Sequence, residues 1–286
     1  MPLSSRLAFL ERAKPLLGTT VVVRVARADD ATGHAAIDAA FREIAEVHRL
    51  MSFHDTDSDL SRLNRLGGKE TVRLDPRTAE VLALALDLAE RSDGAFDPCV
   101  GARAVADGDL PPPPGASAAD PMGSWRDVRK VGCEAHFTRP VWLDFGGIAK
   151  GYAVDRAIEQ LRAFGIVQAS VNAGGDLRVI GGQSETVGLR AGAADTLPVV
   201  EITDGALASS GGGDAAMVRH YDGASGDQIT LAQFVSVAAS TCMVADALTK
   251  VVLARGAAAG PVLSLYRAKA WAFDAEHGWR SIGTAS

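Results

Sequence analysis

The sequence predicts an α+β fold, and three observations carry that expectation. Short β-branched runs bounded by glycine turns mark strands. Longer stretches with apolar residues at helical spacing mark helices. The two kinds of element do not alternate strictly, as a doubly wound parallel sheet would require. The 286 residues include 30 glycines, 47% apolar and 22% charged residues, a composition that allows a well-buried core and many tight turns.

The elements follow in order. Residues 18–26 (GTTVVVRVA) read as a strand, and 33–51 as an amphipathic helix with Ile37, Phe41, Ile44, Val47 and Met51 on one face. Asp57-Ser58-Asp59 opens a short helical turn ending near Asn64. At Asp75-Pro76 a capping side chain precedes a proline at the first helical position, and that helix runs to about Arg91, where Ser92-Asp93-Gly94 breaks it. The Pro/Gly/Ala/Ser-rich stretch 108–124 reads as a solvent-exposed insertion. Trp142 to Phe145 reads as a short strand entering Gly146-Gly147, and a helix follows over about 149–164. Strands at 169–172 and 176–180 flank the turn Ala173-Gly174-Gly175. Further short strands fill 185–240, then a helix spans about 242–255 and a last strand pair closes near 271–273.

Charge and cysteine usage exclude several classes. The formal charge is −6, from 29 basic and 35 acidic residues without a basic stripe, which argues against nucleic acid as a partner. Cys99, Cys133 and Cys242 are odd in number and form no CxxC pair, so neither a disulfide framework nor a zinc site is expected. We see no run of ~18 apolar residues and expect no membrane span. Residues 1–16 show no signal-type apolar run and no lipobox-like cysteine, so the expected location is cytoplasmic.

Four segments can carry chemistry. In Leu143-Asp-Phe-Gly-Gly-Ile-Ala-Lys-Gly-Tyr-Ala-Val-Asp155, a strand leads through a Gly-Gly turn into a helix, whose free N–H groups and Lys150 suit an anion. The same residues would equally make a plain strand–helix connection. Asn172-Ala-Gly-Gly-Asp176 lets a backbone approach a flat ligand or phosphate, or simply turns a hairpin. In Ala95-Phe96-Asp97-Pro98, a proline-fixed aspartate can accept hydrogen bonds from a base or ribose, or cap a helix. Asp246 and Lys250 stand at i, i+4 in an apolar helix, as a cation-binding carboxylate or as an ion pair. Residues 211–216 (GGGDAA) match the loose dinucleotide fingerprint by chance, with no βαβ unit around them. His54, His136 and His220 share no metal-ligand spacing, and no Gly-x-Ser-x-Gly elbow is present.

Taken in order, these segments resemble the FAD:protein FMN transferase (ApbE) family. Gly18-Thr19, Met51 to His54, Asp57 to Asn64, Ala208 to Gly211 and Ala245 to Leu248 complete the series, and the match covers about residues 15–275. The resemblance implies one domain over 1–286, with a T-fold-like core of mixed or antiparallel sheets flanked by helices. It implies FAD as donor, a divalent cation, usually magnesium, and a phosphoester from FMN to a Ser or Thr of a protein acceptor, with AMP leaving. By position, Ala95, Phe96 and Asp97 would contact the adenosine end. Gly146, Lys150, Tyr152 and Asp155 would line the flavin-nucleotide cleft, with Asn172 and Gly174 from the next turn. The Ala149 carbonyl and the Asp246 carboxylate would hold the metal, and His220 would be the general base. The sequence departs from the family's pattern at four places. Lys250 stands where the family has threonine, His54 where it usually has tyrosine and Leu17 where it has methionine. Asp222-Gly-Ala-Ser-Gly226 replaces Asp-Pro-x-Thr-Gly. Two other activities fit the same motifs: hydrolysis of free FAD, or FAD binding without catalysis and with Lys250 in the metal position.

Overall fold

A hairpin opens the chain in the computed structural model, which describes residues 9–26, 29–189, 198–211, 219–229, 234–274 and 276–283. β1 (Phe9–Leu16) pairs antiparallel with β2 (Thr19–Ala26) around Leu17 and Gly18, both at positive φ. The sequence reading missed β1. It is an edge strand with no fully buried residue, and its Glu11, Arg12, Lys14 and Pro15 suit an edge better than a core. α1 (Asp30–Met51) starts three residues earlier than expected, because Asp29 caps it by accepting from the Thr32 N–H at 2.8 Å. Ser58 caps α2 (Asp59–Leu66). After β3 (Val72–Arg73), Asp75 caps α3 (Pro76–Arg91), with proline in its first turn. α4 (Gly101–Ala106), β4 (Val128–Val131) and β5 (Glu134–Phe137) follow, and β3, β5 and β4 form a small sheet.

The second half supplies the main sheet. α5 (Ala149–Ala163) leads to the hairpin of β6 (Ala169–Ala173) and β7 (Asp176–Ile180). β8 (Glu185–Gly188) and β9 (Val199–Ile202) pair with each other. β10 (Ala206–Gly211), β11 (Phe234–Ala239), α6 (Cys242–Arg255), α7 (Gly260–Leu265), β12 (Lys269–Asp274) and β13 (Gly278–Ile282) complete the chain. The main sheet has eight strands in the order β1-β2-β6-β7-β10-β11-β12-β13, and every neighbouring pair is antiparallel. The α+β expectation holds.

α1, α5 and α6 lie side by side on one face of this sheet. Val21, Val23 and Val25 alternate inward, fully buried in one cluster with Ile37, Ile44, Ile158 and Leu248. Leu177, Val179 and Leu207 point to the other face, where Leu189 and Ile202 cover them.

One expectation needs correction and two need detail. Trp142 to Phe145 is extended but pairs in no sheet. Its backbone is satisfied elsewhere: the Asn64 side chain donates to the Leu143 carbonyl at 2.9 Å and accepts from the Leu143 N–H at 2.8 Å. The Asp144 N–H donates to the Pro98 carbonyl, and the Trp142 carbonyl accepts from Gly101. Stretch 108–124 is largely exposed, yet Asp109 and Leu110 at its start line the central cleft and Pro113 is buried. A segment long and apolar enough to cross a membrane does exist, Cys242–Leu265. It folds here as α6, a 3-10 turn and α7, with α6 packed on α5, β10 and β11. Residues 1–8 and 212–216 lie outside the described residues.

Candidate active site

A cleft of about 740 Å³ opens where the first turn of α5, the third turn of α6, the end of β10 and the β6–β7 turn meet the segments at 51–54, 95–97 and 219–221. The extended Leu143–Phe145 segment aims α5 into it. Asp144 accepts from the Gly146 N–H at 3.0 Å, and the Phe145 carbonyl accepts from Ile148 and Ala149. α5 then begins without a side-chain cap. The Ala149 N–H is taken by the Phe145 carbonyl and the Gly151 N–H by Asp246, so the start of α5 offers chiefly the positive end of the helix dipole. Gly146, Ala149 and Lys150 line the cleft at this point.

Two buried carboxylates and two lysines form the floor. Asp246 is 1% exposed; its Oδ1 lies 2.6 Å from Lys250 Nζ, and its Oδ2 accepts from the Gly151 N–H at 3.1 Å. Gly151 is required there, since a Cβ would come within 2.3 Å of the Cys242 carbonyl oxygen where α5 crosses α6. Asp176 is fully buried, with Oδ2 3.0 Å from Lys150 Nζ. Burial first, then the Asp246 charge, holds the Asp176 carboxyl above its usual range. Burial works against the Lys150 charge, but Asp176 and then Asp246 outweigh it and raise the ammonium's pKa. Lys250 Nζ also donates to Ser210 Oγ at 2.9 Å. Among the described residues, no group of three or more His, Cys, Asp or Glu side chains is placed to hold a metal ion.

His220 lines the same cleft, near enough for the Lys250, Asp246 and Lys150 charges to act on it. Burial and then the Lys250 charge lower its pKa to about 4, so the imidazole is neutral at pH 7. A strap holds it in place. The Arg219 guanidinium donates to the Asp107 carbonyl at 2.7 Å and to Asp109 Oδ1 at 2.6 Å, and the Tyr221 hydroxyl binds Asp107 at 2.9 Å and Asp109 at 3.1 Å. Asp222 pairs with Arg255 and closes the turn by accepting from Ala224 at 3.0 Å. The turn therefore forms without the family's proline and threonine. Ala95, Phe96 and Asp97 build one wall. Asp97 accepts from the Cys99 and Trp125 N–H groups at 2.8 and 3.2 Å, and burial lifts its carboxyl to about 6.

The cleft thus brings together His220, Ala95, Phe96, Asp97, Gly146, Ala149, Lys150 and Gly174, with Asp246 beneath Lys250. Asp246 itself is not part of the lining, and three further expected residues stand outside it. Tyr152 is buried and donates to Glu80 at 2.7 Å. Asp155 pairs with Arg178 at 2.5 Å and accepts from the Cys242 and Met243 N–H groups at 2.9 and 2.8 Å, so it caps α6. Asn172 accepts from the Gly175 N–H at 3.0 Å and shapes the β6–β7 turn. Sequence reading missed Asp144, Ser209, Ser210, Arg219 and Tyr221 as cleft residues. The alternation of β10 marks Ser209 and Ser210 as facing opposite sides, but no local pattern says that its end meets α6.

The ApbE family model matches residues 17–270. The chain is 30% identical over 196 residues to the FAD:protein FMN transferase of Treponema pallidum (strain Nichols), covering 62% of this chain and 53% of that protein. It is 32% identical over 178 residues to the protein of the same name from Rhodobacter capsulatus, covering 58% of this chain and 34% of the relative. The matches thus span about half and a third of those relatives' lengths. Among solved structures, the flavin transferase ApbE of Vibrio cholerae superposes with TM-score 0.81 at 22% identity, covering 98% of each chain. The ApbE protein of Thermotoga maritima superposes with TM-score 0.82 at 23% identity, covering 96% of this chain and 97% of that one. The chain belongs to the ApbE family.

Proposed function

We propose that this protein is an FAD:protein FMN transferase that moves FMN from FAD to a Ser or Thr hydroxyl of a protein acceptor and releases AMP. The observation that carries the reading is a neutral imidazole lining the same cleft as two lysine ammonium groups, each beside a buried carboxylate. His220 shares one cleft with Lys150, Lys250 and the start of α5. Phosphoryl transfer depends mainly on positioning and charge neutralisation, and this floor supplies both. His220 is neutral at pH 7 and accepts the hydroxyl proton. The wall at Ala95 to Asp97 suits an adenosine end, with Asp97 holding the wall's backbone through the Cys99 and Trp125 N–H groups.

Magnesium is the metal the family implies, with Ala149 and Asp246 as its expected protein ligands. The donor set does not fit it. Both Asp246 oxygens are engaged, one by the Lys250 ammonium and one by the Gly151 N–H. Magnesium needs oxygens in near-octahedral geometry at ~2.0–2.1 Å, and the ammonium stands where such a cation would meet this carboxylate. No step is routed through a metal.

The test is incubation of the purified protein with FAD and a protein carrying a candidate Ser/Thr flavinylation motif. AMP release matched by covalent flavin fluorescence on the acceptor is expected. AMP release with only free FMN would establish FAD hydrolysis instead, and binding without AMP would overturn both activities.

A further inference from the structure

Resting on the FAD-cleaving reading, we propose that the Lys250 side chain occupies the cation position of this cleft, so that the chain binds and cleaves the FAD pyrophosphate without a divalent metal. Asp246 is the floor carboxylate closest to that position, and it has no free oxygen for a metal. Asp176, the other buried carboxylate, has Lys150 at 3.0 Å. Each of these two carboxylates therefore has an ammonium beside it, Asp176 through Oδ2 alone, with its buried Oδ1 unpartnered. A divalent cation would have to displace an ammonium from a buried carboxylate, or sit beside it against its charge.

The fold builds a seat for this lysine. Its stem lies over Gly147, where a Cβ would come 3.2 Å from Lys250 Cε, so the bare backbone lets the lysine reach the first turn of α5. Its Nζ is fixed by Asp246 Oδ1 at 2.6 Å and Ser210 Oγ at 2.9 Å. A third contact, to the Asp246 carbonyl, is long at 3.3 Å, and that carbonyl already accepts from the Thr249 hydroxyl at 2.6 Å. The third N–H can therefore turn to a phosphate oxygen with little loss. Lys250 is held where its charge faces the cleft with a donor to spare.

The step balances without a metal. The acceptor hydroxyl oxygen bonds to the phosphorus on the riboflavin side, and the bond from that phosphorus to the bridging oxygen breaks. The bridging oxygen leaves on AMP, which needs no proton at neutral pH, and the hydroxyl proton passes to His220. Nothing is oxidised or reduced. Lys150 and Lys250 take the charge that builds on the phosphate oxygens.

The deciding experiment is titration of chelator-stripped protein with Mn2+ alone, followed by electron paramagnetic resonance, on wild type and Lys250→Thr. Wild type should retain no Mn2+ at concentrations where Lys250→Thr retains one equivalent. Wild-type AMP release from FAD should stay within about twofold between EDTA and excess magnesium. One wild-type equivalent of Mn2+ that Asp246→Asn abolishes would overturn the proposal. So would a loss of turnover beyond tenfold in EDTA that magnesium restores, or a folded Lys250→Thr that gains no Mn2+. If Lys250→Thr does not fold, the two wild-type measurements decide. If no FAD is cleaved under any condition, the activity reading falls, while the wild-type Mn2+ titration still decides the placement of Lys250.

Discussion

At the scale of single residues, the site separates side chains that meet the cleft from those that hold it. Asp155 belongs to the second kind. Its side chain is about 10% exposed and joins Arg178 to the first two N–H groups of α6. Removing one partner of a buried pair strands the other charge and costs ~3–5 kcal/mol. Asp155→Ala should therefore unfold at markedly lower denaturant, while its folded fraction keeps wild-type FAD affinity in an equilibrium titration. A large loss of affinity at full folding would instead make Asp155 a ligand group. His220 belongs to the first kind. His220→Ala should lower AMP release by ~10²–10⁴-fold and leave FAD binding intact. The pH profile follows from its pKa of about 4, set by burial and then by Lys250. The base form persists down to that value, so kcat/KM should show no His220 limb near the ordinary ~6.5. Stability moves with the same group. Between about 4 and ~6.5 the unfolded chain binds the extra proton, so stability falls as pH drops through that window and is unaffected above it. A limb near 6.5 in the free enzyme would mean that the imidazole is solvated.

At the scale of elements, the site depends on how closely α5 approaches α6. A methyl at Gly151 would sit 2.3 Å from the Cys242 carbonyl oxygen and 2.9 Å from Asp246 Cβ. Backbone atoms cannot yield cheaply, so the helices must part. Gly151→Ala should lower stability by ~1–3 kcal/mol and weaken FAD binding more than its effect on helix propensity would suggest. A stabilised variant with unchanged binding would show that the crossing is looser than this. The sequence made these elements legible wherever a local signal ends them. Asp75-Pro76, the Gly174-Gly175 turn and both ends of α6 all carry such signals. β1 escaped because an edge strand shows no buried alternation. Trp142 to Phe145 has the composition of a strand, yet the partner that satisfies its backbone is the side chain of Asn64, 79 positions from Leu143.

At the scale of the whole molecule, the cleft is completed by a contact that no local pattern announces. The strap at 219–222 reaches across to Asp107 and Asp109, more than a hundred positions earlier, in and beside the stretch read as an exposed insertion. The four cleft segments were legible as candidates, because glycine turns and a lone lysine in an apolar context stand out in sequence. Their convergence was not, because it is set by strand order: β10 lies between β7 and β11, which brings Ser210 to Lys250. The strap makes a separable prediction. Its Arg219–Asp109 pair is about one-third exposed on each side, and such pairs contribute only ~0–1 kcal/mol to stability. Tyr221→Phe removes both hydroxyl contacts without removing the ring. Combined with Asp109→Ala, it frees the strap from Asp109 and leaves the Arg219 contact to the Asp107 carbonyl in place. The double variant should melt within a few degrees of wild type. Its kcat for AMP release should nonetheless fall, because His220 loses its fixed distance from the floor, and transfer steps are sensitive to displacements of about 1 Å. FAD affinity should change little, since the lysines and α5 remain in place. Unchanged kcat would mean that Asp222 with Arg255 and the Gly223 N–H on the Ala95 carbonyl suffice to seat the imidazole. A collapse in stability would make the strap part of the fold rather than a clamp on the site.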